Sequence, residues 1–437
     1  MITESMLKKY SEAYNASPER QLATMALAKS ELPNVCFVSG AEYAMRHKFS
    51  LEIETLPVAN QKASGRCWLF AATNILRERI AKELKLDKFE LSQSYLAFWD
   101  KFERCNYFLE SIIATADLPA DDRTVQFILT TGVHDGGQWD MFANIARKYG
   151  VVPKDVFDET FQTSNTRRMN YYMNRSLKAA AANIRRMLGE GKDVSAYKEE
   201  TLGKMYGFLC SCYGEPPKSF DFEYVDKDKA YHIEKGMTAK SFYDKYVGSY
   251  LNDIASIITA PTADKPYHQM YTIKMLGNVV GGAPVRHLNL SIDEFKQAIL
   301  NQLKAGKPVW FGSDIGHDGD RELGIWDDNM FNAELLTGLE LDISKADGLD
   351  YSFSAMNHAM VLTGVNIVDG KIDRWRIENS WGDEHGKKGY YICSDSWFDK
   401  YVYQAAVEKE YLGELAELTK QEAVELAPWD PMGTLAD

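Results

Sequence analysis

At 437 residues, with 45% hydrophobic and 26% charged residues, the chain has the composition of an ordinary soluble globular protein, long enough for two or three domains or for one domain with large insertions. Its formal net charge of −13 argues against sequence-independent binding to nucleic acid or an anionic membrane, and no apolar run is long enough to span a bilayer. The six cysteines (Cys36, Cys67, Cys105, Cys210, Cys212 and Cys393) form no CxxC pair; with an N-terminus that lacks an apolar signal core, they are expected to be free thiols in a reducing cytoplasm.

Residues 3 to 30, rich in Glu, Lys and Ala, predict one or two amphipathic helices, and a short stretch from Phe49 to Pro57 leads into Gln61. Trp68, Leu69, Ala72, Ile75, Leu76, Ile80 and Leu84 recur at three- and four-residue steps, with Thr73, Asn74, Arg77, Glu78, Arg79, Lys82 and Glu83 on the other face. This predicts a helix, opened by the Ser64-Gly65 break, with Cys67 in its first turn. The positive end of a helix macrodipole favours thiolate over thiol. From this stretch alone, a buried structural cysteine fits as well as a reactive one. Leu86-Asp-Lys predicts a turn, and Leu91 begins a second helix whose aromatic stripe reads as core. His134-Asp-Gly-Gly-Gln-Trp-Asp140 is a glycine loop ahead of a helix over 141–149; it is either a plain turn or a place where backbone approaches a ligand. The stretch from about Tyr171 to Thr201 predicts continuous helix with its charges on a solvated face. Residues 205–290 mix short strand-like runs with Pro and Gly. A helix over 291–304 and a buried strand over 307–313 follow. Asp314 to Asp320 has neither EF-hand spacing nor the two-histidine pattern of zinc sites and reads as a polar loop.

Asn357-His358 opens a strand-like run ending at Val368, Asp369-Gly370 is a two-residue hairpin signal, and Lys371 to Asn379 is the returning strand. Paired positions then sum to 739, which sets His358 opposite Trp381 and Asn379 within diagonal reach. Asn379 shares the period-two face of Trp375 and Ile377 and should point inward with them. Taken singly, a strand-end histidine and an inward asparagine are more often structural. Together with Cys67 they make the set that cysteine nucleophilic catalysis requires: a thiolate to attack, an imidazole to act as base and then acid, and an amide to orient the ring. Gln61, six residues before Cys67, is placed to donate a side-chain N–H that, with the Cys67 backbone N–H, would stabilise an oxyanion.

Gln61, Cys67-Trp68, Leu91-Ser-Gln93, Gly136-Gly137, His358 and Asn379-Ser-Trp381-Gly382 follow the order of papain-like cysteine peptidases. Ser64-Gly65-Arg66-Cys67-Trp68 also lies close to their Cys-Gly-[Ser/Ala]-Cys-[Trp/Tyr] pattern. More narrowly, Asn60-Gln-Lys-Ala-Ser-Gly-Arg-Cys-Trp68, the His134 loop and the ending Ala427-Pro-Trp-Asp-Pro-Met-Gly433 resemble the bleomycin hydrolase / aminopeptidase C family. The resemblance implies an α+β papain-like fold, with a helical left domain and a β-barrel-like right domain, carrying large helical and mixed insertions. Ser64 in place of the first motif cysteine removes a usual disulfide partner, in keeping with an intracellular enzyme. Cys67 and His358 are 291 residues apart (358 minus 67), about twice the roughly 130–150 of cathepsins, so insertions are expected.

The organisation expected is an N-terminal helical arm and lead-in (1–60), a helical subdomain with Cys67 (61–155), a mostly helical insertion serving oligomerisation (156–290), a β subdomain with His358 and Asn379 (291–426), and a tail entering the active-site cleft (427–437). The resemblance further implies a homohexameric barrel with active sites on an inner channel, acting on short or unfolded peptides. It implies that Gly136 and Gly137 line the non-primed side of the cleft, that Trp381 shields the His358–Asn379 hydrogen bond, and that the terminal carboxylate meets the substrate's free amino group. That carboxylate belongs to Asp437, or to Ala436 if the last residue is trimmed. Trp429, Pro428 and Pro431 suggest a tail that packs. The expected activity is therefore a cysteine aminopeptidase needing a reduced thiol but no metal or organic cofactor. Its rivals are an endopeptidase on the same scaffold and a non-catalytic hexameric binding assembly.

Overall fold

The computed structural model describes residues 1–436; Asp437 lies outside the described residues. The helix that begins at Cys67 runs to Leu84 and ends where Lys85 turns left-handed at φ 53°. Trp68, Ala72, Leu76 and Ile80 form the expected fully buried stripe, but Thr73, Asn74 and Arg77 on the expected polar face are buried as well. The reason is position: this helix lies between a helical layer and a sheet, so both of its faces are covered.

The helical layer contains Gln93–Ala114, capped by the Ser92 hydroxyl accepting from the Tyr95 N–H, and Trp139–Tyr149. The stretch expected to be one helix is two, Arg167–Gly189 and Ser195–Tyr213, separated where Gly191 takes a φ of 71° that a right-handed helix cannot continue. Met173, Leu177, Ile184 and Leu209 from this pair join Phe98, Ile112 and Phe142 in the core that also holds Trp68. The first part of the expected insertion therefore shares its core with the Cys67 helix. Two N-terminal helices, Glu4–Ala16 and Pro18–Leu27, are capped by Thr3 and Ser17 and contain no buried residue. Among the described residues, no helix is long and apolar enough to cross a membrane.

A twelve-stranded mixed sheet forms the other half. At its centre, His358–Val368 lies antiparallel between Val309–Ser313 and Lys371–Glu378. Beyond Val309–Ser313 come Val402–Glu408, Ile254–Ile258, His287–Asn289, Met270–Ile273 and Val424–Leu426. The sheet thus takes strands from before residue 291: Ile254–Ile258, Met270–Ile273 and His287–Asn289 belong to it, as does Leu51–Glu52, which pairs with His358–Val368. Val309, Phe311, Leu362, Trp375 and Ile377 pack under the Ile292–Lys304 helix, whose N-terminus carries a reciprocal Ser291/Glu294 capping box.

The central hairpin turns at Asp369 (φ 50°) and Gly370 (φ 78°), the two positive dihedrals of a type I′ turn. Its register starts on the 739 sum at Ile367–Ile372, slips by one residue through Asn366–Arg374 to Gly364–Arg376, and returns at Leu362–Ile377. One extra residue on each strand, Asp373 and Thr363, makes the two irregularities cancel. The end of the hairpin that carries His358 is left in the register expected from the turn.

His287 shows how this sheet responds to acid. It is fully buried, its Nδ1 sits 2.8 Å from the Ser256 hydroxyl, and burial pushes its pKa down to about 3. Below about pH 6.5 the unfolded chain protonates this ring while the folded chain does not, so the ring costs stability as pH falls towards 3. His287→Gln is therefore expected to flatten the pH dependence of the unfolding free energy in that window, by up to about 1.4 kcal/mol per pH unit. Urea melts from pH 4 to 7 measure this slope; identical slopes for both proteins would refute the assignment.

Candidate active site

Cys67 opens its helix, and its Sγ accepts the backbone N–H of Ala359 at 3.4 Å, which ties the helix start directly to the His358 strand. His358 Nε2 stands 2.9 Å from Asn379 Oδ1. That oxygen also accepts the Ser380 N–H at 2.8 Å, which fixes the amide orientation. Nε2 is then the donor, and Nδ1 is the ring nitrogen left for proton exchange with the thiol. Trp381 stacks on the His358 ring at 4.8 Å between centroids, and the Arg321 guanidinium covers the outer face of that indole at 4.6 Å.

The stretch 59–61 runs beside 380–382: Gln61 N–H donates to Ser380 O at 2.8 Å and Gly382 N–H to Ala59 O at 3.1 Å. The Ser380 hydroxyl donates to Gln61 Oε1 at 2.6 Å, so Nε2 is the end turned towards Ser64 O, 2.5 Å away, with a second N–H to spare. Gln61, Cys67 and His358 converge on a cleft of about 370 Å³.

Burial dominates the titration of both reactive groups. It pushes the Cys67 thiol up to about 11, against the backbone N–H groups of Ala359, Trp68 and Cys67 itself, and pushes the His358 imidazole down to about 4. The helix-start position alone therefore does not make a free thiolate here. Passing the proton from sulfur to imidazole would offset both costs, because each ion would then be the other's counter-ion.

The glycine loop divides its work. Gly136 lines the cleft, whereas Gly137 lies behind it: a Cβ there would come within 2.5 Å of the Trp68 indole. Of the two glycines expected at the cleft, Gly136 is among its lining residues and Gly137 packs against Trp68. Part of the tail lies at the cleft wall. Pro431–Ala436 forms a short helical turn in which Met432 O accepts from Gln138 Nε2 at 3.2 Å and the Thr434 hydroxyl donates to Met356 O at 2.9 Å. Thr434 and Leu435 line the cleft beside Cys67. Ala436, expected to meet substrate if the last residue is trimmed, is 3% exposed in the untrimmed chain and faces a separate small cavity with Arg104, Tyr107 and Gly132. Asp437 falls outside the described residues.

Sequence reasoning missed four cleft residues. His134 and Asp135 were inside the glycine motif but carried no spacing signal of their own. Asn170 comes from the Arg167–Gly189 helix, about a hundred residues from Cys67 in sequence, and nothing local marked it. Asn357 precedes His358 and is held by the buried Asp314, which also accepts the Ser354 hydroxyl at 2.8 Å. Asp314, read as part of a polar loop, thus anchors the approach to His358.

Helices on one side of a cleft and a mixed, mostly antiparallel sheet on the other, with a cysteine heading the central helix, make the papain-like α+β fold. The class is that of the cysteine peptidases. The chain belongs to the Peptidase C1-like family, which it matches over residues 1–433. It is 50% identical over 395 residues to aminopeptidase C of Lactobacillus delbrueckii subsp. lactis, covering 89% of this chain and 88% of that one. It is 40% identical to bleomycin hydrolase of Gallus gallus, over 98% of this chain and 97% of the other. Among solved structures, that of PepW from Lactobacillus rhamnosis superposes with a TM-score of 0.97 at 46% identity, covering 99% of each chain.

Proposed function

We propose that the protein is a cytoplasmic cysteine aminopeptidase that removes N-terminal residues from short or unfolded peptides. The observation that supports the reading is that Thr434 and Leu435 of the chain's own tail line the cleft together with Cys67 and His358. A cleft closed on one side admits a substrate that ends there, which is the steric requirement for cutting near a free amino terminus. The family resemblance assigns the carboxylate at the tail's end, on Asp437 or on Ala436 after trimming, to the substrate ammonium.

In this reading His358 Nδ1 takes the thiol proton as Cys67 Sγ adds to the scissile carbonyl carbon. The carbonyl oxygen becomes an oxyanion and receives the Cys67 backbone N–H and the free Gln61 Nε2–H. Collapse breaks the C–N bond, and the leaving amine takes the proton from His358. Water, deprotonated by the same ring, then adds to the thioester; its collapse releases the N-terminal residue as an acid and returns the proton to sulfur. Asn379 holds the ring through Nε2, and Trp381 keeps water from that bond. These steps call for a reduced thiol and for no metal or organic cofactor.

The six cysteines, all unpaired, fit a reducing compartment. The exposed Leu7, Tyr10, Leu22 and Met25 of the N-terminal helices are apolar surface that a homohexamer would cover. The net charge of −13 gives no support to nucleic acid as a partner.

Matched fluorogenic peptides, one with a free amino terminus and one acetylated, test the reading. The intact protein is expected to cut only the free-amine peptide. A version lacking residues 434–437 should gain at least tenfold on the acetylated one, since the block is removed while the reacting groups remain. Equal cleavage of both peptides by the intact protein would replace the aminopeptidase reading with the endopeptidase one.

A further inference from the structure

The three residues before Cys67 set the direction of its backbone N–H, which as a first-turn donor has no intrahelical partner. Two carboxylates from elsewhere in the chain grip these residues. Asp135 Oδ2 accepts the Gly65 N–H at 3.0 Å, and the carbonyl of the same Asp135 accepts Trp68 Nε1–H at 2.6 Å, so one residue holds the chain on both sides of Cys67. Glu159 takes both arms of the Arg66 guanidinium, at 3.1 and 2.9 Å, and Arg66 is only 1% exposed.

Both acids are themselves fastened by one segment. Thr163 donates to Glu159; Thr166 and Asn170 donate to Asp135, the latter at 2.9 Å; and Lys101 supplies the ammonium that Asp135 pairs with. The same segment is stitched to the turn by backbone, Ala63 N–H donating to Ser164 O at 3.0 Å and Thr166 N–H to Ala63 O at 3.4 Å. The fit is close, since a Cβ on Gly65 would fall 2.9 Å from the Asp135 Cβ. Burial by itself would raise the Asp135 pKa, but Lys101 and the side-chain donors Thr166 and Asn170 more than offset it and hold the carboxyl well below the usual carboxylate range. The grip is therefore a permanent anion.

We infer that Asp135 and Glu159 are positioning residues for the reaction: with the 159–170 segment they fix the Ser64–Arg66 turn and so aim the Cys67 N–H at the oxyanion. They touch neither the sulfur nor the scissile bond. The inference rests on the thiol-peptidase reading above and adds a task for the start of the expected insertion. Charge-assisted hydrogen bonds suit it because they are short and directional, and an oxyanion donor displaced by a fraction of an ångström loses most of its effect.

The test compares Asp135→Asn, Glu159→Gln and the double variant Asp135→Asn/Lys101→Met, which leaves no buried ammonium unpaired, with the natural protein. Two rates are measured on folded protein: hydrolysis of the free-amine peptide, and alkylation of Cys67 by labelled iodoacetamide. Alkylation displaces iodide at a saturated carbon and uses the thiolate–imidazolium pair but no oxyanion donor. Expected are a fall in kcat of about tenfold or more, since losing one such donor outright costs about 10²–10³, a KM within about threefold, and an alkylation rate within about twofold, ranges this test sets against that loss. A kcat equal to the natural protein's, or a kcat and an alkylation rate that fall together, would overturn the inference, as would failure of all three variants to fold. The underlying reading fails separately: hydrolysis by the natural protein would survive complete alkylation of Cys67.

Discussion

Cys67→Ala is expected to lower kcat by about 10⁵-fold or more while leaving the protein folded, because the nucleophile is lost but only one small buried group is removed. His358→Ala should cost a similar factor, and the double variant little more than either alone, since the two groups act as one unit. The geometry sets this expectation. Burial opposes the thiolate and the imidazolium when each stands by itself, with values of about 11 and about 4, so neither residue retains a useful share of the reactivity without the other. Steady-state hydrolysis of a free-amine peptide measures it. Activity of Cys67→Ala within a hundredfold of the natural protein would remove Cys67 from the chemistry.

The largest effect on stability is expected from Arg77→Met. Arg77 lies on the face of the Cys67 helix that meets the sheet; it is fully buried and pairs with Glu378 at 2.7 Å. Asn74 Nδ2 donates to the same Glu378 oxygen at 2.8 Å, and Glu78 accepts the Leu56 N–H at 2.9 Å while bonding to Arg77. Since Glu378 precedes Asn379, this cluster fastens the thiol-bearing helix to the strand that orients the imidazole. One guanidinium faces a fully buried carboxylate and a partly buried one; burial pushes Glu78 up to about 7 and raises Glu378 as well, with Arg77 opposing both.

Removing Arg77 leaves that charge uncompensated, at a cost of about 3–5 kcal/mol. The sign with pH follows. Without Arg77 the folded-state pKa of Glu378 rises further above the unfolded value, so the folded chain must bind a proton that the unfolded chain gives up. The penalty is small near pH 4 and grows as pH rises through neutrality. Urea melts at pH 5 and pH 8 should show the larger loss at pH 8; a loss independent of pH would mean that packing, and not charge, is what Arg77 contributes.

The parts legible in the sequence were those governed by local rules. Three- and four-residue periodicity marked the Cys67 helix, and the turn chemistry of Asp369-Gly370 set a register whose two later slips cancel by Val361–Glu378, the last pair before His358 and Asn379. The break at Gly191 was missed because a Lys/Arg/Ala-rich stretch carries strong helix propensity on both sides of it. The burial of Thr73, Asn74 and Arg77 was missed because an amphipathic pattern tells which face is apolar, not whether a second layer covers the polar one.

By itself, the sequence determined the local devices to which the proposed chemistry is assigned: a cysteine at a helix start, a histidine and an asparagine on one hairpin, and a glutamine six residues ahead of the thiol. Only the tertiary structure decided what those devices meet. Arg66 finds Glu159, 93 residues away; Gly65 finds Asp135; Gly137 goes to the back of Trp68; and Thr434 and Leu435, not Ala436, reach the cleft. Helices and turns follow from steric and hydrogen-bond preferances of neighbouring residues, whereas these pairings depend on how distant segments pack against one another, which no short-range pattern encodes.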